Sequence, residues 1–139
     1  MNTISEIQVS YHPKCSVMSL IKSCHGAYEV IIPLFNEDML QYKEIFMVLY
    51  HNRANWISGY HEHLIGSDAS NVASAKQVIV IVFKVNTFSF ILVHNHPTRS
   101  TKPSSADIDI TKRIKEAAGL FEIKVLDHLI IGEGFYSFT

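Results

Sequence analysis

The sequence predicts an α/β fold in which a mixed central sheet is flanked by helices, and three observations predict it. The first is size and make-up: 139 residues, 47% hydrophobic and 18% charged, suit one layered domain whose core needs no disulfide or structural-metal staple. The second is a pair of apolar stretches, residues 44–50 (EIFMVLY) and 88–94 (FSFILVH). The former is too uniformly apolar for a strand with one wet face, so it belongs in the middle of a covered sheet, and the latter reads as a clear strand. The third is the spacing of three and four between apolar residues over 17–32 and 105–119, which marks helices able to cover that sheet.

Taken in order, Ile7, Val9 and Tyr11 alternate with polar neighbours and predict a short edge strand ended by Pro13. Ser16 is placed to cap a helix whose face carries Val17, Leu20, Ile21, Cys24, Tyr28 and Ile31, weakened at Gly26 and stopped by Pro33. Residues 36–41 form a polar connector into the strand at 44–50, and 51–55 turn the chain into a returning strand at 56–65, a hairpin. Small and polar residues at 66–74 read as a loop. In the next segment, 76–86, the β-branched run from Val78 to Val82 favours a strand on propensity alone. The strand at 88–94 stops before Pro97, and a polar loop follows at 98–103. Ser104 opens a helix with Ile110, Ile114 and Ala117 on one face, and Gly119 is suited to a left-handed C-cap. Two strands, 123–131 and 135–138, close the chain around a turn at 132–134.

Composition narrows the function. Twelve Lys and Arg against 13 Asp and Glu, a formal charge of -1, leave no basic footprint for tight nonspecific binding to nucleic acid or anionic membrane. The apolar runs fall far short of the roughly 20 residues that cross a bilayer. Cys15 and Cys24 follow no signal-peptide pattern, which predicts reduced packing thiols in a cytoplasmic protein, with no nucleophilic role.

Eight histidines are many for this length, and their arrangement carries the chemistry. His94 and His96 are two apart on an extended stretch, so their side chains share one side at about 7 Å and can converge on one ion, while Asn95 faces away. Asp107 follows in the first turn of a helix, where unpaired N–H groups favour a carboxylate. Two neutral imidazoles and one carboxylate suit zinc, and three protein ligands leave a fourth position for water, the catalytic arrangement. The expected place for the metal is a sheet edge. Glu44, at the start of its strand, is the candidate base, and Ser104 can offer its hydroxyl to an oxyanion or act with Asp107 as a helix-capping pair. His61-Glu62-His63 alternates in the same way and could join His51, but no third ligand has a matching signature, so it reads as a solvated strand face. Asp127-His128 lies in an apolar strand, which predicts either a buried, hydrogen-bonded histidine or a partner that orients a metal ligand.

The run His94-Asn-His96-Pro97, followed by Ser104-Ser-Ala-Asp107 and preceded by Glu44, resembles the JAMM (MPN-plus) metalloprotease motif, and most closely that of RadC-type bacterial proteins. The likeness extends over residues 4–138 and includes ILVHNHP at 91–97 and VLDHLIIG at 125–132. It implies a JAMM/MPN, cytidine-deaminase-like architecture and a helix at 75–85 against local propensity. It also implies a single domain over 1–139 without the helix-hairpin-helix region of many RadC proteins. The roles it implies are zinc held by His94, His96 and Asp107, Glu44 as general acid/base, and Ser104 supporting the tetrahedral intermediate. The implied activity is hydrolysis of a peptide or isopeptide bond with a metal-activated water. Two departures stand out: Thr98-Arg99 replaces the Ser-Gly pair that commonly follows the HNHP run, and Ala69-Ser70-Asn71 replaces a Ser-Gly-Thr stretch. They motivate an alternative, a non-catalytic or DNA-repair-associated accessory module that keeps the metal site. Substrate identity and oligomeric state, a homo-oligomer included, are left open.

Overall fold

The structure, a computed structural model, describes residues 3–6, 8, 23–54, 56–66 and 75–139. The strand expected at Ile7, Val9 and Tyr11, the Ser16 cap, Cys15 and the departure at Ala69-Ser70-Asn71 lie outside the described residues. Helix α1 spans Cys24–Ile31, a 3-10 turn spans Ile32–Leu34 and a short α2 spans Glu37–Leu40. Then come β1 (Glu44–His51), β2 (Ile57–Gly66), α3 (Ala75–Val85), β3 (Ser89–Asn95), α4 (Ser105–Gly119), β4 (Lys124–Gly132) and β5 (Gly134–Ser137). The five strands form one mixed sheet in the order β2-β1-β3-β4-β5, with β3 and β4 parallel and every other pair antiparallel. This is the predicted α/β architecture.

Strand alternation divides the core into two layers. On one face Phe46, Val48 and Tyr50 of β1 and Phe90 and Leu92 of β3 pack with Val78 and Val82 of α3 and Ile110, Ile114 and Ala118 of α4. On the other, Ile45, Met47, Leu49, Ile91, Val93, Leu129 and Ile131 pack with Ala27 and Ile31 of α1 and with Phe35. Both faces of β1 and β3 are covered, which is why those segments read as nearly continuous apolar runs.

The segment around Val78 is a helix, as the family likeness implied and propensity did not. Val78 and Val82 are one turn apart and fully buried against the sheet. Burying each contributes roughly 1.5–3 kcal/mol, whereas the helix penalty of a β-branched residue is at most about 0.7 kcal/mol. The helix ends at Asn86, which takes φ 57, a left-handed conformation asparagine tolerates.

Several local expectations are corrected. The helix expected over 17–32 is not one continuous element: Ser23 has extended backbone (φ -154, ψ 164) and caps α1, its Oγ accepting the Gly26 N–H at 3.0 Å. Cys24 is exposed and not a packing residue. The 36–41 connector holds α2, with the Asp38 N–H donating to Asn36 Oδ1 at 3.1 Å. On α4 the buried stripe takes in Ala118, with Ala117 only half-buried. Gly119 is not the left-handed cap. Glu122 (φ 59) fills that place, its N–H donating to Gly119 O at 3.2 Å while the Ile123 N–H reaches Ala118 O at 3.0 Å, the paired bonds of a Schellman stop. Among the described residues no helix is long and apolar enough to cross a membrane.

Candidate metal centre

The parallel β3-α4-β4 crossover brings the start of α4 over the carboxyl end of β3. His94 is the penultimate residue of β3 and points to the α4 face with Phe90 and Leu92, and Phe46 lies opposite it in register on β1. The site therefore stands over the ends of the sheet's inner strands, and the expected position at a sheet edge is corrected. Beyond the strand, His96 is held by a folded loop. Its N–H donates to Ile131 O at 2.9 Å, its own carbonyl accepts the Arg99 N–H at 2.9 Å, and its Nδ1 lies 2.9 Å from Ser100 O. A carbonyl only accepts, so Nδ1 carries the hydrogen and Nε2 is the atom turned toward His94.

This loop lies directly on β4. A Cβ at Gly132 would approach Arg99 O to 2.4 Å, and Arg99 O accepts the Glu133 N–H at 2.8 Å, so only glycine allows the contact. Arg99 adopts φ 69, the left-handed region. Holding Arg99 in that conformation has a backbone cost of roughly 1–2 kcal/mol that a glycine would not incur.

Asp107 arrives by a capping box. Ser104 Oγ accepts the Asp107 N–H at 3.1 Å, and the Ser104 N–H donates to Asp107 Oδ2 at 2.8 Å, which orients the carboxylate at the helix start. Its Oδ1 stands 3.1 Å from His94 Nε2 and its Oδ2 3.1 Å from His96 Nε2, while the two Nε2 atoms are 3.0 Å apart. Glu44 at the head of β1 is set back, Oε1 at 4.0 Å from His94 Nε2, with its side chain 38% exposed. One ligand atom from each of Glu44, His94, His96 and Asp107 lies within 4.8 Å of every other, and this is the one such group of three or more among the described residues. All four predicted ligand and base residues are brought together. Ser104 is adjacent through its cap.

The donor set fits a divalent metal. Nitrogens and oxygens about 2.0–2.1 Å from a tetrahedral zinc stand roughly 3.3 Å apart, close to the spacing here. The charge balance agrees. Burial pushes the Asp107 carboxyl up, but the facing His94 and His96 imidazoles and the Ser104 N–H outweigh it and hold the carboxyl far below its ordinary value. The hydrogen bond to Asp107 raises the His96 imidazole above its ordinary value, against burial. The site attracts positive charge.

Asn95 faces away from the metal group, as expected, and has a structural task. Its Oδ1 accepts the Ile45 N–H at 2.6 Å and its Nδ2 donates to Leu40 O at 2.7 Å and Lys43 O at 2.8 Å, so it ties the approach to Glu44 to the end of β3. A cavity of about 150 Å³ opens beside His96, lined by Leu40, Gln41, Asn95, Arg99, Ile131 and Gly132. His128 is wholly buried, with Nε2 2.7 Å from His94 Nδ1 and Nδ1 2.5 Å from Thr111 Oγ1. It is a buried, hydrogen-bonded histidine, as the first reading expected, and its partner is His94. Burial, first of all, pushes its imidazole well below the ordinary value. Asp127 pins the chain end, accepting from the His128 and Phe138 N–H groups at 2.7 and 3.1 Å and from the Ser137 hydroxyl at 2.5 Å.

Sequence reasoning missed Thr111. The signal was its place one turn after Asp107 and on the same helix face as Ile114 and Ala118. The rival pair is partly corrected: His61 and Glu62 are exposed, but His63 is buried against Phe46 and does not belong to a solvated face. His51 is buried at the opposite end of β1, in register with Ile57, away from His61 and His63.

Residues 21–139 match a family described as the RadC-like JAB domain. A UPF0758 protein of Syntrophomonas wolfei is 38% identical over 115 residues, 82% of this chain and 49% of its own length. One from Cellvibrio japonicus is 41% identical over 93 residues, 66% of this chain and 41% of its own. One from Chlorobium phaeovibrioides is 32% identical over 139 residues, 99% of this chain and 61% of its own. The chain spans about half the length of these curated relatives.

Proposed function

We propose, for a chain that belongs to the RadC-like JAB-domain family, a zinc-dependent hydrolase acting on amide or isopeptide bonds. The observation that carries this reading is the convergence of His94 Nε2, His96 Nε2 and the Asp107 carboxylate at 3.0–3.1 Å, with the Glu44 carboxylate 4.0 Å from His94 on the solvent side. His94, His96 and Asp107 are the proposed ligands. When bound there, zinc supplies a Lewis acid and lowers the pKa of water toward about 7.

The chain's own groups perform the rest. Glu44 Oε accepts the proton that water gives up as its oxygen bonds to the carbonyl carbon, and then returns it to the amine nitrogen as the carbonyl re-forms and the C–N bond breaks, so no free amide anion is released. Ser104 Oγ accepts the Asp107 N–H, which leaves its own hydroxyl hydrogen to donate toward the oxyanion. Capping and catalysis use different parts of one hydroxyl.

Arg99 favours a second reading, a non-catalytic module that keeps the metal, because it is among the residues lining the cavity beside His96 at a place where the likeness leads one to expect glycine. One experiment separates the two. The protein is assayed for bound zinc and for cleavage of peptide, isopeptide and nucleic-acid substrates, beside Glu44→Gln. A hydrolase loses at least about 100-fold in rate in that variant while retaining its zinc. Zinc-loaded wild-type protein that cleaves no amide bond, or cleaves nucleic acid alone, overturns the proposal.

A further inference from the structure

Behind the metal ligands, Thr111 and His128 form a hydrogen-bonded chain whose direction is set by chemistry. It begins at the backbone carbonyl of Asp107, which can only accept, so the Thr111 hydroxyl donates to it at 2.6 Å. With its hydrogen committed, Thr111 Oγ1 accepts from His128 Nδ1 at 2.5 Å. A neutral imidazole that carries its hydrogen on Nδ1 offers a lone pair at Nε2, and His128 Nε2 faces His94 Nδ1 at 2.7 Å. His94 must therefore donate from Nδ1. Its Nε2 is then a bare lone pair aimed at the space shared with His96 and Asp107.

We propose that Thr111 and His128 are positioning residues that hold His94 in the Nδ1–H tautomer, so that its Nε2 is ready to ligate a metal before any metal arrives. The chain starts on one ligand, Asp107, and ends on another, His94, and so locks helix α4 to strands β3 and β4 at the site. The opposite direction would forfeit the Thr111 bond to Asp107 O and leave two oxygens 2.6 Å apart with no hydrogen between them. Thr111, His128 and His94 are all buried, at 3%, 0% and 1% exposure, so bulk water is not there to substitute for a lost link. Two side chains remote from substrate thereby decide which nitrogen the metal meets.

The inference rests on the ligand assignment above, but its first test needs neither zinc nor turnover. Nitrogen-15 spectra of the metal-free protein, at a pH well above the ordinary imidazole value of about 6.5, should show His94 and His128 both protonated at Nδ1. A His94 hydrogen on Nε2 overturns the inference. Thr111→Val keeps the shape and removes the hydroxyl, and Thr111→Ser does the converse. The valine variant should lose the single tautomer and about 10–100-fold in zinc affinity, and the serine variant should restore both. A purely packing role predicts the reverse order, and wild-type zinc affinity in Thr111→Val would sink the idea. Should the valine variant fail to fold, the wild-type spectrum still decides. Wild-type protein that shows the tautomer but takes up no zinc refutes the hydrolase reading alone.

Discussion

Two histidine pairs of identical spacing lie on the same face of this sheet, separated by a single phenylalanine. Phe46 stacks on His94 with ring centroids 5.9 Å apart and meets His63 edge-on at 6.3 Å, so β2, β1 and β3 present His63, Phe46 and His94 in a row. In one pair, His94 and His96, each ring nitrogen has a partner and a carboxylate bridges the two Nε2 atoms. In the other, His61 is exposed, and among the described residues His63 is buried with its Nε2 unpartnered and no acidic side chain completes a ligand group. Burial, and then the neighbouring His61, push the His63 imidazole down to about 4. Equal spacing gives opposite outcomes because a metal site needs an anion and outer hydrogen-bond partners as well as two nitrogens.

The largest expected effect breaks the first pair. Asp107→Asn keeps an oxygen for the Ser104 N–H, so the cap survives, but the anionic ligand is lost. Zinc affinity measured by chelator competition should fall at least about 100-fold, while His63→Leu should change it less than about 2-fold. Equal losses would mean that the two pairs are not chemically distinct.

The second prediction concerns acid. His63 has a folded pKa of about 4, below its unfolded value of about 6.5, so the unfolded chain binds the extra proton as pH falls between these values. The neutral buried ring is fully tolerated above pH ~6.5, and roughly 2–3 kcal/mol of stability should be lost on descending toward pH ~4. Denaturant midpoints of His63→Leu should lack that part of the slope. A variant with the wild-type slope would place the acid sensitivity elsewhere.

Smaller effects sharpen the contrast. Ser104→Ala removes the acceptor that caps α4, which should cost about 1 kcal/mol in thermal unfolding with zinc affinity retained to within about 10-fold, because the Ser104 N–H still orients Asp107. His61→Ala, at an exposed residue of β2, should alter stability by less than about 0.5 kcal/mol. A large loss there would show that His61 supports His63 beyond their ring contact.

Much of this was legible in the chain itself. The central strand β1, the strand β3, the capped α4 and the set His94, His96 and Asp107 follow from local apolar pattern, cap chemistry and short spacing, whereas Glu44, on a different strand, was singled out chiefly by the family likeness. What the sequence left open depended on distant partners. Val78 to Val82 has no single period, and its helical state was decided by the sheet face it covers. His63 reads as polar and exposed, yet pairing with β1 turns it against Phe46. The stop of α4 fell to Glu122, which has less left-handed preference than Gly119, because the Schellman bonds close there. Thr111 and His128 are 17 residues apart and acquire a shared role only when α4 folds across β4. Residue types and spacings could specify which donors the chain carries. Only packing, by removing water and fixing which hydrogen each donor gives, decided which pair of histidines meets the Asp107 carboxylate.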